Sequence, residues 1–292
     1  MRDEMLDRWR ERIGRAASLL GANLLEPPTL NVLASCAAIS PYHFHRMWRA
    51  LTGKTVGETI RHLRIEQAKK ALLESNRPIS DIALSVGFAT PQSFARAFRQ
   101  EIGVSPSAYR IGKRNSEAAD TLASTSTTKP VPAIELVFQP SRTLIAKRRT
   151  GLPYEDLNEE FGVVWRWAQG AGLIDKLKGI YGVPYDDPLS QPVEVLRYDA
   201  GLELDSVTTA PAYLHVLALR GGEFARLRVC GSYTQLEAAS QSLIGAWLVQ
   251  SGREPADAPM FHHFHNDPDS VAEDALVTDI YLPLEPNEGQ KS

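Results

Sequence analysis

Three histidines within five positions, His262, His263 and His265 of "FHHFHNDP" (261–268), raise the question of a metal site. Structural zinc takes four ligands in a tetrahedron, and catalytic zinc three plus water. The run reads as a strand, on which successive side chains point to opposite faces, so His263 and His265 share one face and His262 lies on the other. A pair would have to recruit His215 or Asp267, and nothing in the spacing brings either to it. No metal and no cofactor is expected. The two cysteines, Cys36 and Cys230, lie far apart without a CxxC pattern, which removes a sulfur-rich site and fits a reducing compartment.

A second chemistry lies in the basic residues. Residues 1–114 hold 18 Lys and Arg against 10 Asp and Glu, whereas the rest holds 14 against 25. Such a split points to a part that approaches a polyanion, joined to a part with another task. Within the basic part, "SPYHFHRMWRALTG" from Ser40 recurs as "TPQSFARAFRQEIG" from Thr90, at a constant offset of fifty residues. Each copy starts a helix, with Ser or Thr as the cap and Pro at the first helical position. Phe44, Met47, Trp48 and Leu51 form one apolar face, as do Phe94, Phe98 and Ile102. The opposite faces carry Tyr42, His45, Arg46 and Arg49 in the first copy, and Gln92, Ser93, Arg96 and Arg99 in the second, all able to donate to base edges or phosphates. This reading requires both faces to be exposed.

The element upstream of the second copy, "PISDIALSVGFATPQ", offers Ser80 as a cap, a short helix, and Gly87 where a positive φ is needed. Together they make a helix-turn-helix; the first copy is looser, with Ala37 and Ala38 in place of Gly87 and Phe88. Between them "TVGETIRHLRIEQAKKALLES" reads as one helix about 30 Å long, near the roughly 34 Å between successive major-groove faces on one side of B-DNA.

The acidic part repeats as well. "LPYEDLNEEFGVVWRWAQGAGL" is similar to "SYTQLEAASQSLIGAWLVQSGRE", and "YGVPYDDPLSQPVEVLRYDAGLEL" to "FHHFHNDPDSVAEDALVTDIYLPL", at an offset of 79 and then 80. Each unit reads as a strand, an amphipathic helix and two further strands. The expected fold class is multidomain, an all-α domain with two helix-turn-helix motifs followed by an α+β domain of two pseudo-two-fold repeats. The expected divisions are 1–113, a Ser/Thr/Ala-rich tether at 114–132, the α+β domain at 133–286, and a tail at 287–292.

Residues 5–112, above all "RIEQAKKALLESNRPISDIALSVGFATPQSFARAFRQEIGVSPSAYR", resemble the DNA-binding domain of the AraC/XylS family of transcription regulators. The resemblance implies base contacts from Tyr42, His45, Arg46, Gln92 and Arg96, with Ser93 on the same face and Arg49 and Arg99 on phosphates. Pro91 stands where relatives often carry a polar residue. Residues from about Ile134 to Glu285 resemble the GyrI-like effector-binding domain, on the tandem helix motifs, "YDDP", "NDP" and "TDIYLPL". That implies a small-molecule site between aromatic walls, for which Tyr154, Phe161, Trp165, Tyr181, Trp247, Phe261, His262 and Tyr281 are the candidates. The family commonly places a buried glutamate just before "NDP"; His262 stands there instead. A neutral imidazole does not match a carboxylate's pull on a buried cation, which admits a neutral or anionic ligand.

The expected function is a sequence-specific transcription regulator, not an enzyme, that reads two adjacent major-groove segments and is modulated by an aromatic or apolar effector. Double-stranded promoter DNA is the first partner and RNA polymerase a further candidate. No apolar run approaches the roughly 18 residues of a membrane span, so a cytoplasmic protein without a membrane partner is expected. The alternatives are a GyrI-like hydrolase, with His262 as a base, and a ligand-independent regulator whose pocket is closed by side chains.

Overall fold

The computed structural model describes residues 2–113, 133–151, 153, 158–206 and 209–286. The tether, the tail and Tyr154 lie outside the described residues. No helix among those described is long and apolar enough to cross a membrane. Seven helices open the chain: α1 (Arg2–Ala22), α2 (Leu30–Cys36), α3 (Pro41–Thr52), α4 (Val56–Glu74), α5 (Ile79–Ser85), α6 (Pro91–Ile102) and α7 (Pro106–Lys113). They do not all belong to one compact unit. One unit comprises Glu11–Ala37 and Lys54–Pro130; the other joins Met1–Arg10 and Ala38–Gly53 to Val131–Ser292. Helix α3, the first of the repeated helices, thus belongs with the acidic part.

In the helical unit, α4 starts with a reciprocal cap. The Thr55 hydroxyl accepts from the Glu58 N–H at 3.1 Å, and the Glu58 carboxylate accepts from the Thr55 N–H at 2.7 Å. Its inner face, Ile65, Ala68 and Leu72, packs with Ile82, Ala83 and Val86 of α5 and the following turn, Phe94, Ala97 and Phe98 of α6, and Tyr109 of α7. Helix α5 begins one residue before Ser80. Pro78 occupies the cap, and the Ser80 hydroxyl bonds Asp81 instead, because proline's fixed φ already starts the turn.

The other unit contains an eight-stranded antiparallel sheet: β1 (Ile134–Gln139), β2 (Arg142–Thr150), β3 (Leu177–Pro184), β4 (Arg197–Leu204), β5 (His215–Leu219), β6 (Gly222–Cys230), β7 (Phe261–Phe264) and β8 (Val277–Pro283). Their order is β1-β6-β8-β7-β3-β4-β2-β5. Reversing this order exchanges β1 with β5, β2 with β6, β3 with β7 and β4 with β8, which is the pseudo-two-fold anticipated from the repeats. Each repeat has one strand more than its sequence pattern suggested, and those strands are exchanged: β1 pairs with β6 of the second repeat, and β5 with β2 of the first. The "IELVFQ" and "HVLAL" strands lie at the sheet edges, where one flank lacks a neighbour and alternation is weakly enforced. The halves meet at β3 and β7, through Ile180↔Phe264, Tyr181↔His263 and Gly182↔His262.

Helix α8 (Asn158–Gly170) follows β2, and α9 (Leu236–Ser242) follows β6 and continues as a π-helical stretch, Leu243–Leu248. Val164 and Ala168 of α8 pack with Ile145, Leu202 and Leu204 of the sheet. The aspartates repeated at an offset of eighty serve the fold. Asp199 holds Arg148 in a two-pronged pair at 2.7 and 3.0 Å, and Asp279 holds Arg228 at 2.7 and 2.8 Å, each carboxylate buried.

Candidate DNA-binding helices and effector site

In α6 the local chemistry follows the sequence closely. The Thr90 hydroxyl accepts from the Ser93 N–H at 3.1 Å, Pro91 takes the first helical position, and Gly103 ends the helix in the left-handed region at φ 84°. Upstream, Gly87 turns the chain at φ 94°, and a Cβ there would lie 2.8 Å from the Arg64 guanidinium. That guanidinium is itself fixed by two hydrogen bonds to the Leu24 carbonyl. Phe94 and Phe98 are fully buried, with edge-to-face contacts of 5.5 Å to one another and 5.4 Å from Phe98 to Tyr109. Gln92, Ser93, Arg96 and Arg99 are exposed, and neither arginine has an acidic partner among the described residues.

Helix α3 has the same proline start, glycine end and apolar residues in a different setting. Its turn is made by Ala38 at φ 52°, one position after the residue matching Gly87. The Ser40 hydroxyl does not cap; it donates to Asp257 at 2.7 Å. Tyr42 packs on Tyr185, His45 and Arg49 are half-buried, and Arg46 is 1% exposed. The required exposure therefore holds for α6 and fails for α3 in this conformation. The Arg46 Nη2 donates to Glu237 at 3.1 Å and to the Asp186 carbonyl at 3.2 Å. Arg49 reaches Asp187 at 3.3 Å, Glu237 at 3.4 Å and the Gln241 amide oxygen at 2.7 Å. Burial pushes the Glu237 carboxyl above its ordinary range, against the pull of Arg46.

The candidate effector residues divide between two faces of the sheet. On one, Phe261 stacks on Tyr281 at 4.8 Å and Tyr181 on His263 at 4.6 Å, with Phe224 closing the cluster. On the face bearing the helices, Phe161 of α8 meets Phe264 at 5.5 Å, Tyr233 meets it at 5.2 Å and His262 at 6.2 Å. The eight candidates therefore do not line one site: Phe161 and His262 go together, whereas Tyr181, Phe261 and Tyr281 sit on the opposite face. Trp165 is 38% exposed and Trp247 half-buried in the π-helical stretch. Phe264 and Tyr233, aromatic residues of the repeats outside the eight candidates, join Phe161 and His262 on this face, where alternation from His262 already put Phe264.

His262 is 5% exposed, and neither ring nitrogen has a hydrogen-bond partner among the described residues. Burial, and next the Arg46 guanidinium, hold its pKa at about 3. His43 on α3 is held at about 4, by burial and then Arg46. Both rings are neutral at pH 7. His265 is exposed and bonds Asp279 at 2.9 Å, while His263 is half-buried against Tyr181. Among the described residues no group of three or more His, Cys, Asp or Glu is placed to hold a metal ion. Glu160 of α8 is a buried carboxylate that the sequence reading did not single out. One oxygen lies 3.5 Å from Arg149 and the other has no hydrogen-bond partner among the described residues.

A helix-turn-helix unit and a tandem-repeat α+β domain with an aromatic cluster at its join define a two-part class of protein. Family comparison agrees: residues 132–285 match the GyrI-like small molecule binding domain, and residues 33–111 a helix-turn-helix domain. The chain belongs to the GyrI-like family and carries an AraC-type helix-turn-helix domain ahead of it. Its similar proteins include the bifunctional transcriptional activator/DNA repair enzyme AdaA of Bacillus subtilis, 39% identical over 88 residues, 30% of this chain and 42% of AdaA. Regulatory protein SoxS of Salmonella typhimurium is 39% identical over 85 residues, 29% of this chain and 79% of SoxS. Transcriptional regulator Rob of the same organism is 38% identical over 98 residues, 34% of this chain and 33% of Rob. The chain thus matches less than half the length of AdaA and of Rob.

Proposed function

We propose that the chain is a sequence-specific, cytoplasmic transcription regulator, not an enzyme, whose α3 and α6 read adjacent major-groove segments of promoter DNA and whose GyrI-like domain binds a small-molecule effector. The observation that carries this reading is the exposed Gln92–Ser93–Arg96–Arg99 face of α6, two arginines without acidic partners among the described residues, on a helix rigidly set by Gly87, Thr90 and the Phe94–Phe98 core. Arginine in such a position pairs with guanine edges or phosphates. Within this reading Arg46, His45 and Tyr42 join the contact when α3 is free, Arg49 and Arg99 hold phosphates, and RNA polymerase is the partner downstream. The effector site is the cluster of Phe161, Tyr233, His262 and Phe264. A neutral, buried His262 favours an aromatic, uncharged ligand surface there and makes a poor general base, which needs a pKa near the working pH.

A ligand-independent regulator is a second reading, favoured by the burial of His262 to 5% exposure. A thermal-shift screen of cationic, neutral and anionic aromatic compounds separates the two: a binder raises the unfolding temperature with concentration, and a closed core responds to none. The DNA reading is tested by selecting duplexes from a random pool with the full-length chain and measuring their affinity; recovery of no enriched sequence contradicts it.

A further inference from the structure

Helix α3 presents to the GyrI-like domain the residues that a recognition helix presents to DNA. Its two guanidinium groups are held by carboxylates, which offer paired oxygens as phosphates do, so Glu237 and Asp187 occupy the donors that a duplex would use. The fit extends beyond charge. Gln241 donates its amide to the Arg46 carbonyl at 3.3 Å while its oxygen accepts from Arg49, so one side chain grips the helix at two points. Gly245 lies where a Cβ would be 3.2 Å from the Ala50 Cβ, a closeness that glycine alone accommodates without displacement. It belongs to the π-helical stretch Leu243–Leu248, a geometry that recurs at functional sites in helices. Ser40 gives up its cap to bond Asp257, and Tyr42 joins the aromatic cluster of Tyr185.

We propose that the GyrI-like domain holds α3 as an internal ligand, an autoinhibitory latch in which Glu237, Asp187 and Asp257 compete with DNA for the first recognition helix. The proposal rests on the DNA-binding reading above. Arg46 cannot serve Glu237 and a base edge at once, so binding through both helix-turn-helix motifs requires this contact to open. Any ligand of the domain that moves Glu237 or Asp187 acts on DNA binding through it.

The test is made on the full-length chain. In a background of Cys36→Ser and Cys230→Ser, the pair Ala50→Cys and Gly245→Cys sits a few tenths of an ångström inside the usual Cβ separation for a disulfide. The probe is a 40-bp duplex pool, enriched with the Glu237→Gln chain. Oxidation is expected to close the bond and weaken duplex binding by roughly 5- to 150-fold, the range of ordinary coupling energies, with recovery on reduction. Glu237→Gln with Asp187→Asn is expected to bind more tightly than the unaltered chain. Equal binding by oxidised and reduced forms, or failure of the bond to close, overturns the latch. Absence of binding by every form, the reduced and the Glu237→Gln chains included, overturns the DNA reading itself.

Discussion

Helices α3 and α6 are copies of one motif with opposite surroundings. Both are twelve residues long, start at a proline, end at a left-handed glycine and bury a stripe of aromatic residues. On α6 the polar stripe meets solvent; on α3 it meets Glu237, Asp187 and Asp257. The difference teaches that a motif determines its own backbone and apolar face, whereas the fate of its charged face depends on partners nearly two hundred residues away.

The largest effects probe what the copies share. Phe98→Ala and Trp48→Ala each delete a fully buried ring, and each is expected to cost about 3–5 kcal/mol in urea unfolding. A much smaller loss at Trp48 breaks the equivalence of the two apolar faces. Acid then separates the copies. His43 on α3 and His262 on β7, both within reach of the Arg46 charge, have pKa values of about 4 and about 3, below the ordinary 6.5, so between those values and 6.5 the unfolded chain binds protons that the folded one refuses. Stability is full above pH 6.5 and falls as pH drops, with a limiting slope of about 1.4 kcal/mol per pH unit for each ring. Thermal unfolding of the intact chain and of His262→Asn from pH 7 to 4.5 measures this, the variant losing less.

Much of this was legible in the sequence. The Thr90 cap, the prolines at the first helical positions, Gly87 and the two apolar stripes have short-range causes and appear where the residue pattern puts them, whereas Ser40 and Ser80 turn to Asp257 and Asp81 instead of capping. The pairing of the two acidic repeats was legible too, because a strand's alternation and an eighty-residue echo survive in composition. The exchanged edge strands were not, since β1 and β5 find their partners in the other repeat. Neither was the Arg46–Glu237 pair: Arg46 reads locally as a base contact and Glu237 carries no motif, and only the fold brings them together. The aromatic candidates failed as one set because proximity in sequence along β7 puts neighbours on opposite faces.

A third prediction concerns recognition. Arg96→Ala is expected to cost about 1–3 kcal/mol at a selected site in fluorescence anisotropy, with the unfolding midpoint unchanged. The smallest effects lie in the turns. Gly87→Ala forces a side chain into φ 94° against Arg64 and is expected to lose about 1–2 kcal/mol, whereas Ala38→Gly relieves φ 52° and is expected to change stability by about 1 kcal/mol or less, the relief offset by chain entropy. Differential scanning calorimetry of the pair sharpens the contrast between the tight second turn and the looser first.

The most direct measurement is a salt titration of duplex binding by the intact chain, from 50 to 200 mM, beside Arg96→Ala and Arg99→Ala. Counterion release predicts that log affinity falls linearly with log salt, and that each lost phosphate contact makes the slope shallower by about 0.9. An affinity indifferent to salt, or a slope that neither arginine alters, contradicts the assignment of α6 as a DNA-binding helix.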